Sequence, residues 1–352
     1  MSFDLHFIPQ NVAPYTANRI GVYDKRGKRK GFVTIEKLTF PSDMGRKLYS
    51  FGTLSDIHLW SGNNNDSNND FQRALTYFAE TENVDFICIC GDFTNFGLQS
   101  EYEHFKKMVD TYSQGKPVRV STGNHDATDK YNDGASALTL TNYGITPYTG
   151  DPLFYTFSQG DDLFIMMGMR RWDYGYVNDD PFSVEELQWL YDTLEANRYK
   201  RCFVFQHALR FDGCGRPYGG SPTSNLLNCT QGEVFKSIVS HYPNVVWFHG
   251  HSHTCFDSQE DNDIANYDNL FGCHSVHIPS LATPREYENS AYVGKTAESE
   301  GYVVDVYEKY IVLRGRDFAN EKFLPIATYC IDTSFTPVQA GTYTDSTGTI
   351  VT

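Results

Sequence analysis

The chain has 352 residues, with 29 Lys+Arg against 44 Asp+Glu and a net charge of −15. Its 40% apolar content, with 25 Phe and 24 Tyr, builds a large core and excludes a disordered chain. No window approaches the roughly 18–20 consecutive apolar residues of a membrane helix, and the acidic balance opposes capture of bare nucleic acid unless bound cations change the local field.

In chain order, residues 1–47 read as a β-rich extension. Arg19–Tyr23 and Gly31–Ile35 alternate around the basic turn Lys25–Lys30, which predicts a hairpin with a solvated tip. The opening Met-Ser-Phe-Asp-Leu-His-Phe lacks the basic and apolar regions of a secretory signal, so a cytoplasmic location is expected. From Leu48 apolar strands alternate with helices, which implies α/β order over residues 48–332. Phe71, Ala74, Leu75 and Phe78 share one helix face, as do Phe105, Met108, Val109 and Tyr112. The run Asn63–Asp70 reads as a loop, with Asp70 as N-cap of the helix after it. Ser100 with Glu103, and Ser183 with Glu186, have capping-box spacing, the second ahead of the stripe Leu187, Leu190, Tyr191 and Leu194. Later strands are expected at Gly301–Val306, Tyr310–Arg314 and Leu324–Asp332, and residues 333–352 form a polar tail. Cys88, Cys90 and Cys202 sit in apolar runs and there is no Cys-x-x-Cys pair, so the cysteines read as free thiols of a reducing compartment.

Five strands end in polar clusters: Ser55-Asp56-Ile57-His58, Gly91-Asp92-Phe93-Thr94-Asn95, Gly123-Asn124-His125-Asp126, Gln206-His207-Ala208 and Gly250-His251-Ser252-His253. Side chains two apart in an extended segment share a face, so Asp56 with His58, and His251 with His253, reach a common point. All five clusters gather past the carboxyl ends of strands, where α/β folds bind ligands. Imidazole, carboxylate and amide oxygen together suit Mn, Fe, Zn or Ni. Seven such donors exceed the needs of one ion and serve two ions that share a carboxylate. Singly, each cluster has an ordinary reading: Gly91-Asp92 as a turn, Asn124 as a left-handed turn residue, a lone His as a satisfied one. Five in order, each closing a strand, are far harder to explain that way.

This order, D-x-H, G-D, G-N-H-D, H and G-H-x-H, resembles the calcineurin-like metallophosphoesterases over about Leu48 to Thr254. The resemblance implies an α/β/β/α two-sheet sandwich, here with an N-terminal hairpin and C-terminal strands added, around two divalent or transition metal ions. It implies Asp56, His58 and His253 at the first metal, Asn124, His207 and His251 at the second, and Asp92 bridging them. It makes His125 the catalytic histidine beside the metals, with Asp126 orienting its ring or capping the loop. The expected reaction is hydrolysis of a phosphodiester or small phosphate ester by a metal-bridging hydroxide. Asn95 stands where purple acid phosphatases carry a tyrosine, Gln206-His207-Ala208 lacks the His-His-Pro of many cyclic-nucleotide phosphodiesterases, and Asp126 replaces the Glu of protein phosphatases.

Substrate choice is expected in the loops. Arg170, Arg171, Arg210 and Arg216 are candidates for a phosphate, and Tyr131, Trp172, Tyr174 and Tyr218 for a flat group, with surface packing the ordinary alternative for each. A superfamily nuclease ranks behind the small-ester reading. A structural or binding protein that retains the fold is the reading from another class. Residues 1–47 and 301–352 loosely resemble proteins encoded in phage tail regions, which keeps virion association as a second setting. No membrane partner is expected, and the oligomeric state is not legible.

Overall fold

The computed structural model describes residues 12–14, 19–23, 29–34, 41–61, 66–126, 153–169, 181–210, 213–215, 230–258, 266–269, 272–288 and 291–337. Its strands run β1 (Val12–Pro14), β2 (Arg19–Tyr23), β3 (Arg29–Thr34), β4 (Lys47–Leu54), β5 (Phe86–Cys90), β6 (Val118–Ser121), β7 (Phe154–Gln159), β8 (Asp162–Met167), β9 (Cys202–Gln206), β10 (Val245–His249), β11 (Tyr267–Asp268), β12 (His274–His277), β13 (Arg285–Glu288), β14 (Ala291–Lys295), β15 (Glu300–Tyr307), β16 (Tyr310–Asp317) and β17 (Lys322–Asp332). The helices are α1 (Asp66–Thr76), α2 (Gln99–Tyr112), α3 (Val184–Ala196) and α4 (Thr230–His241), and α1 runs on into a π turn at Tyr77–Thr81.

One seven-stranded sheet has the order β1-β17-β16-β15-β4-β5-β6, and a six-stranded sheet has the order β11-β12-β10-β9-β8-β7. Neighbours β4, β5 and β6 are parallel, as are β8, β9, β10 and β12. Parallel neighbours need crossovers, and α1 and α2 supply them on the first sheet.

Strand alternation divides each apolar run between two layers. On β5, Phe86, Cys88 and Cys90 face the space between the sheets, while Ile87 and Ile89 face α1 and α2. On β9, Phe203 and Phe205 face inward, and Cys202 and Val204 meet α3 and α4. The inner layer is aromatic: Phe164 stacks on Phe203 at 4.6 Å and Phe205 on Phe248 at 4.9 Å between ring centroids. Each such buried Phe contributes about 1.5–3 kcal/mol. The order helix, sheet, sheet, helix is the sandwich that the resemblance implied. That rigid stack fixes the strand ends from which the site is built.

Local details differ from the sequence reading at two helices. Helix α1 already includes Asp66–Asp70 rather than starting after Asp70, residues 63–65 lying outside the described residues, and Asp70 instead pairs with Arg73 at 2.9 Å. Helix α2 is capped at Leu98, where Glu101 accepts the amides of Phe96 (2.8 Å) and Leu98 (3.3 Å). Ser100 therefore lies inside the helix, and its hydroxyl meets that of Ser61. The box at α3 is present as expected: Ser183 Oγ accepts Glu186 N at 3.1 Å, and Ser183 N donates to Glu186 Oε2 at 2.6 Å.

Strand β1 pairs with β17, while β2 and β3 pair with each other. The seven described cysteines are buried and unpaired, and Cys229 lies outside the described residues. Among the described residues no helix is long and apolar enough to cross a membrane.

Candidate metal centre

The five polar clusters converge as expected. Asp56 and His58 follow β4, Asp92 follows β5, and Asn124, His125 and Asp126 follow β6; His207 follows β9, and His251 and His253 follow β10. The first three strands belong to one sheet and the last two to the other, so the site lies where both sheets end. Asp56, Asp92, Asn124 and His207 are 2% exposed or less.

The backbone is bent to present these side chains. Asp56, His58, Asp92, His251 and His253 all have positive φ, between 49° and 72°. Among the described non-glycine residues only Asn83, Gln114 and Glu321 share that conformation. Such residues cost about 1–3 kcal/mol each and persist where the surroundings over-determine them. Two glycines clear the space. A Cβ on Gly123 would run into the Asp92 carboxylate, and one on Gly250 would lie 2.5 Å from Asp56 Oδ2.

The donor atoms fall into overlapping groups. Those of Asp56, His58 and His253 lie within 4.8 Å of one another, as do those of Asp92, His207 and His251, and of His58, Asp92 and His125. Asp56 Oδ1 is 3.0 Å from His253 Nε2, and His58 Nε2 is 3.1 Å from His253 Nε2. Asp92 Oδ2 stands between the groups, 3.1 Å from His207 Nε2 and 4.0 Å from His58 Nε2.

Burial alone would raise the Asp56 carboxyl, but His253, His207 and His58 outweigh it and hold it well below the ordinary carboxylate range. Asp92 is likewise lowered against its burial, by His207, His125 and His58. Burial opposes a charge on His207, yet Asp92 and Asp56 push it up to about 10. These carboxylates thus carry their charge and pull cations inward.

Asn124 Oδ1 is buried without a hydrogen-bond partner, and Asp56 Oδ1 and His207 Nε2 have only other atoms of the donor set beside them, His253 Nε2 at 3.0 Å and Asp92 Oδ2 at 3.1 Å. An orphaned buried polar atom costs about 1–3 kcal/mol, and the imidazoles, carboxylates and amide oxygen gathered here are the donor types a transition cation takes. The residues therefore fit a metal.

Behind the donors lies a set of supports that sequence reading missed. His207 Nδ1 donates to the Cys90 carbonyl at 2.7 Å, and His253 Nδ1 to Thr283 Oγ1 at 2.6 Å. Each bond fixes the tautomer that leaves Nε2 facing the centre. Asp56 Oδ2 accepts Ser55 Oγ at 2.7 Å and the His251 amide at 3.0 Å. Ser252, between the two histidines of its loop, bonds His277 Nε2 at 2.9 Å, and His277 in turn meets Asn266. Ser55 and Ser252 lay inside the quoted motifs, whereas Thr283 and His277 carried no local signal.

The His125 ring is fixed by a carbonyl: its Nδ1 donates to Asn95 O at 2.7 Å. Asp126 serves the loop instead, accepting Thr94 N (2.8 Å), Thr94 Oγ1 (2.7 Å) and Gly123 N (2.8 Å). Of the two sequence readings of Asp126, the loop cap is the one its hydrogen bonds match. Burial first, and the Asp92 charge second, push its carboxyl up to about 7.

Arg210 is buried and donates to Glu233 at 2.8 Å. Tyr131, Arg170, Arg171, Trp172, Tyr174, Arg216 and Tyr218 lie outside the described residues.

Comparison with solved structures finds matches over most of the chain. A conserved uncharacterized protein of Streptococcus pneumoniae TIGR4, described as a predicted phosphoesterase, is 12% identical, covers 81% of this chain and 97% of its own, and has a TM-score of 0.38. GAP50 of Plasmodium, the anchor in the inner membrane complex, is 14% identical over 82% of this chain and 90% of its own, with a TM-score of 0.47. Vacuolar protein sorting 29 from Cryptosporidium parvum is 11% identical over 82% and 100%, with a TM-score of 0.36. No curated protein matches the sequence significantly. The family model for calcineurin-like phosphoesterases matches residues 49–255, more than half of the chain and all five clusters. With that match on a two-sheet frame carrying grouped metal-ligand residues, the chain belongs to the calcineurin-like phosphoesterase family.

Proposed function

We propose that this protein is a dinuclear metal-dependent phosphoesterase that hydrolyses a phosphodiester or a small phosphate ester. The observation that carries the reading is the pair of buried donor groups joined by Asp92, with Asn124 Oδ1 buried and without a hydrogen-bond partner. Asp56, His58 and His253 would hold one cation, and Asn124, His207 and His251 the other, with Asp92 shared. Bound there, two cations supply Lewis acidity toward a phosphoryl oxygen and bring the pKa of a water near neutrality.

The chain's own residues do the rest. The supports behind His207 and His253 hold both rings with Nε2 inward, so no reorganisation is needed when substrate arrives. His125, with Nδ1–H committed to the Asn95 carbonyl, has Nε2 as its proton-transfer atom. As imidazolium it donates the Nε2 proton to the departing oxygen, and so prevents release of a bare alkoxide. Asp126 keeps the His125 loop against Thr94 and Gly123 and acts as a positioning residue.

A scaffold has no use for buried carboxylates and imidazoles crowded together on five left-handed backbones, which is why the enzyme reading ranks above a purely structural one. The test is metal content. Chelator-stripped protein reloaded with Mn²⁺ is expected to bind two ions per chain, and Asp92→Asn to weaken both. Two ions bound by the variant with wild-type affinity would refute the shared-carboxylate assignment.

A further inference from the structure

Beside the metal centre, two loops are zipped together by backbone bonds. Ile57 N and His58 N both donate to Asp92 O (2.8 and 2.9 Å), Leu59 N to Phe93 O (3.0 Å) and Asn95 N to Leu59 O (3.1 Å). One loop carries His58 and, two residues on, Trp60. The other carries Asn95, whose carbonyl holds His125, and then Phe96. The zipper therefore puts two pairs side by side: the His58 and His125 rings at 4.6 Å between centroids, and the Trp60 and Phe96 rings at 5.2 Å.

Trp60 is 48% exposed, and no other described tryptophan is exposed. The indole therefore packs on Phe96 and still keeps about half of its surface open to a ligand. Phe96 is pinned from behind through its own amide, which donates to Glu101 Oε2 at 2.8 Å, so the aromatic pair stands on a fixed base. Chain continuity ties the pair to both rings: Trp60 is two residues from His58, and Phe96 follows Asn95, whose carbonyl holds His125, the group that protonates the leaving oxygen if it acts as proposed.

We infer that Trp60, supported by Phe96, is a stacking platform for the departing group, and that the substrate's leaving group is flat and unsaturated: an aryl or a nucleobase-bearing alcohol rather than a simple alkyl one. The inference rests on the phosphoesterase reading. It concerns specificity alone and assigns Trp60 no part in the chemistry. Stacking of one flat group on an aromatic side chain corresponds to about a five- to hundredfold gain in affinity.

Phenylphosphonate and methylphosphonate separate this platform from the chemistry, because neither is hydrolysed and leaving-group basicity plays no part. Calorimetry on the Mn²⁺-loaded full chain is expected to show phenylphosphonate binding at least about fivefold tighter than methylphosphonate, with a change in tryptophan fluorescence. Trp60→Leu, which keeps apolar bulk but removes the ring face, is expected to abolish that preference while leaving methylphosphonate affinity and the two-ion metal content unchanged. Trp60→Phe is expected to restore part of it. Equal binding of the two ligands by wild type, or a preference that survives Trp60→Leu, would overturn the platform and leave the phosphoesterase reading standing. If neither phosphonate binds the metal-loaded protein, the platform is overturned, while the phosphoesterase reading is decided separately by metal-dependent hydrolysis.

Discussion

Replacing Thr283 by valine removes one acceptor from behind His253 and keeps a β-branched side chain of closely similar shape. His253 Nδ1 has two acceptors there, Thr283 Oγ1 at 2.6 Å and the Thr283 carbonyl at 3.2 Å. The variant loses the shorter bond and retains the longer, so the ring keeps its tautomer but is held less firmly. Loss of an outer partner of a ligating histidine costs about 10–100-fold in metal affinity. With the carbonyl still in place, the lower end applies, about tenfold or 1.4 kcal/mol. The loss should fall on one ion alone, because His207 at the other position hangs from the Cys90 carbonyl, a separate support. Calorimetric titration of stripped protein with Mn²⁺ resolves the two binding steps. One step weakened about tenfold, the other unmoved, is the expected result. Equal weakening of both steps, or none, would refute the assignment of Thr283 and His253 to one half of the centre.

His125→Ala is expected to lower turnover by about 10²–10⁴ while two ions remain bound; parallel loss of metal would make His125 a ligand instead. Gly250→Ala drives a methyl group toward Ser55 and Asp56 Oδ2, the latter 2.5 Å away. It should cost about 1–3 kcal/mol in denaturant unfolding and weaken metal binding, and a stability equal to wild type would contradict the close packing at that glycine. Glu300 is fully buried, with Oε2 accepting the Phe256 amide at 3.0 Å, and burial pushes its carboxyl well above the ordinary 4.5. A carboxyl raised on folding favours the folded state below its ordinary pKa, and that contribution is lost as pH rises from about 4.5 toward the folded value. Glu300→Gln mimics the protonated acid, so its melting temperature relative to wild type should climb between pH 5 and pH 8 in chelator; a constant difference would contradict the shift.

The grouping of the candidate donors was legible because each cluster closes an apolar strand, and the ends of parallel strands gather on one side of the layers. The layers were legible for the same reason: continuous apolar runs such as Phe86–Cys90 have to be covered on both faces. Helix beginnings were less so. Asp66–Asp70 reads as a loop by propensity, yet it is helical, continuous with the turns that bury Phe71, Ala74 and Leu75. At α2, Glu101 rather than Glu103 closes the cap, since several carboxylates compete within one turn and only tertiary placement chooses. The supports of the site were least accessible. Thr283 and His277 meet the Gly250–His253 loop from 30 and 25 residues away, and no periodicity encodes such a meeting. Asn95 was noticed for the tyrosine it replaces, whereas what it contributes is a backbone carbonyl, which any residue carries. Trp60 had no motif to announce it, and its meaning comes from exposure and from the zipper that sets it beside Phe96.

The central claim meets its most direct test in the hydrolysis of bis(p-nitrophenyl) phosphate beside p-nitrophenyl phosphate, using protein stripped with chelator and reloaded with Mn²⁺, with Asp92→Asn as control. Metal-dependent cleavage of the diester, absent from the stripped protein and from the variant, is the predicted result. Absence of turnover together with absence of bound metal would contradict it and put a structural role for the fold first.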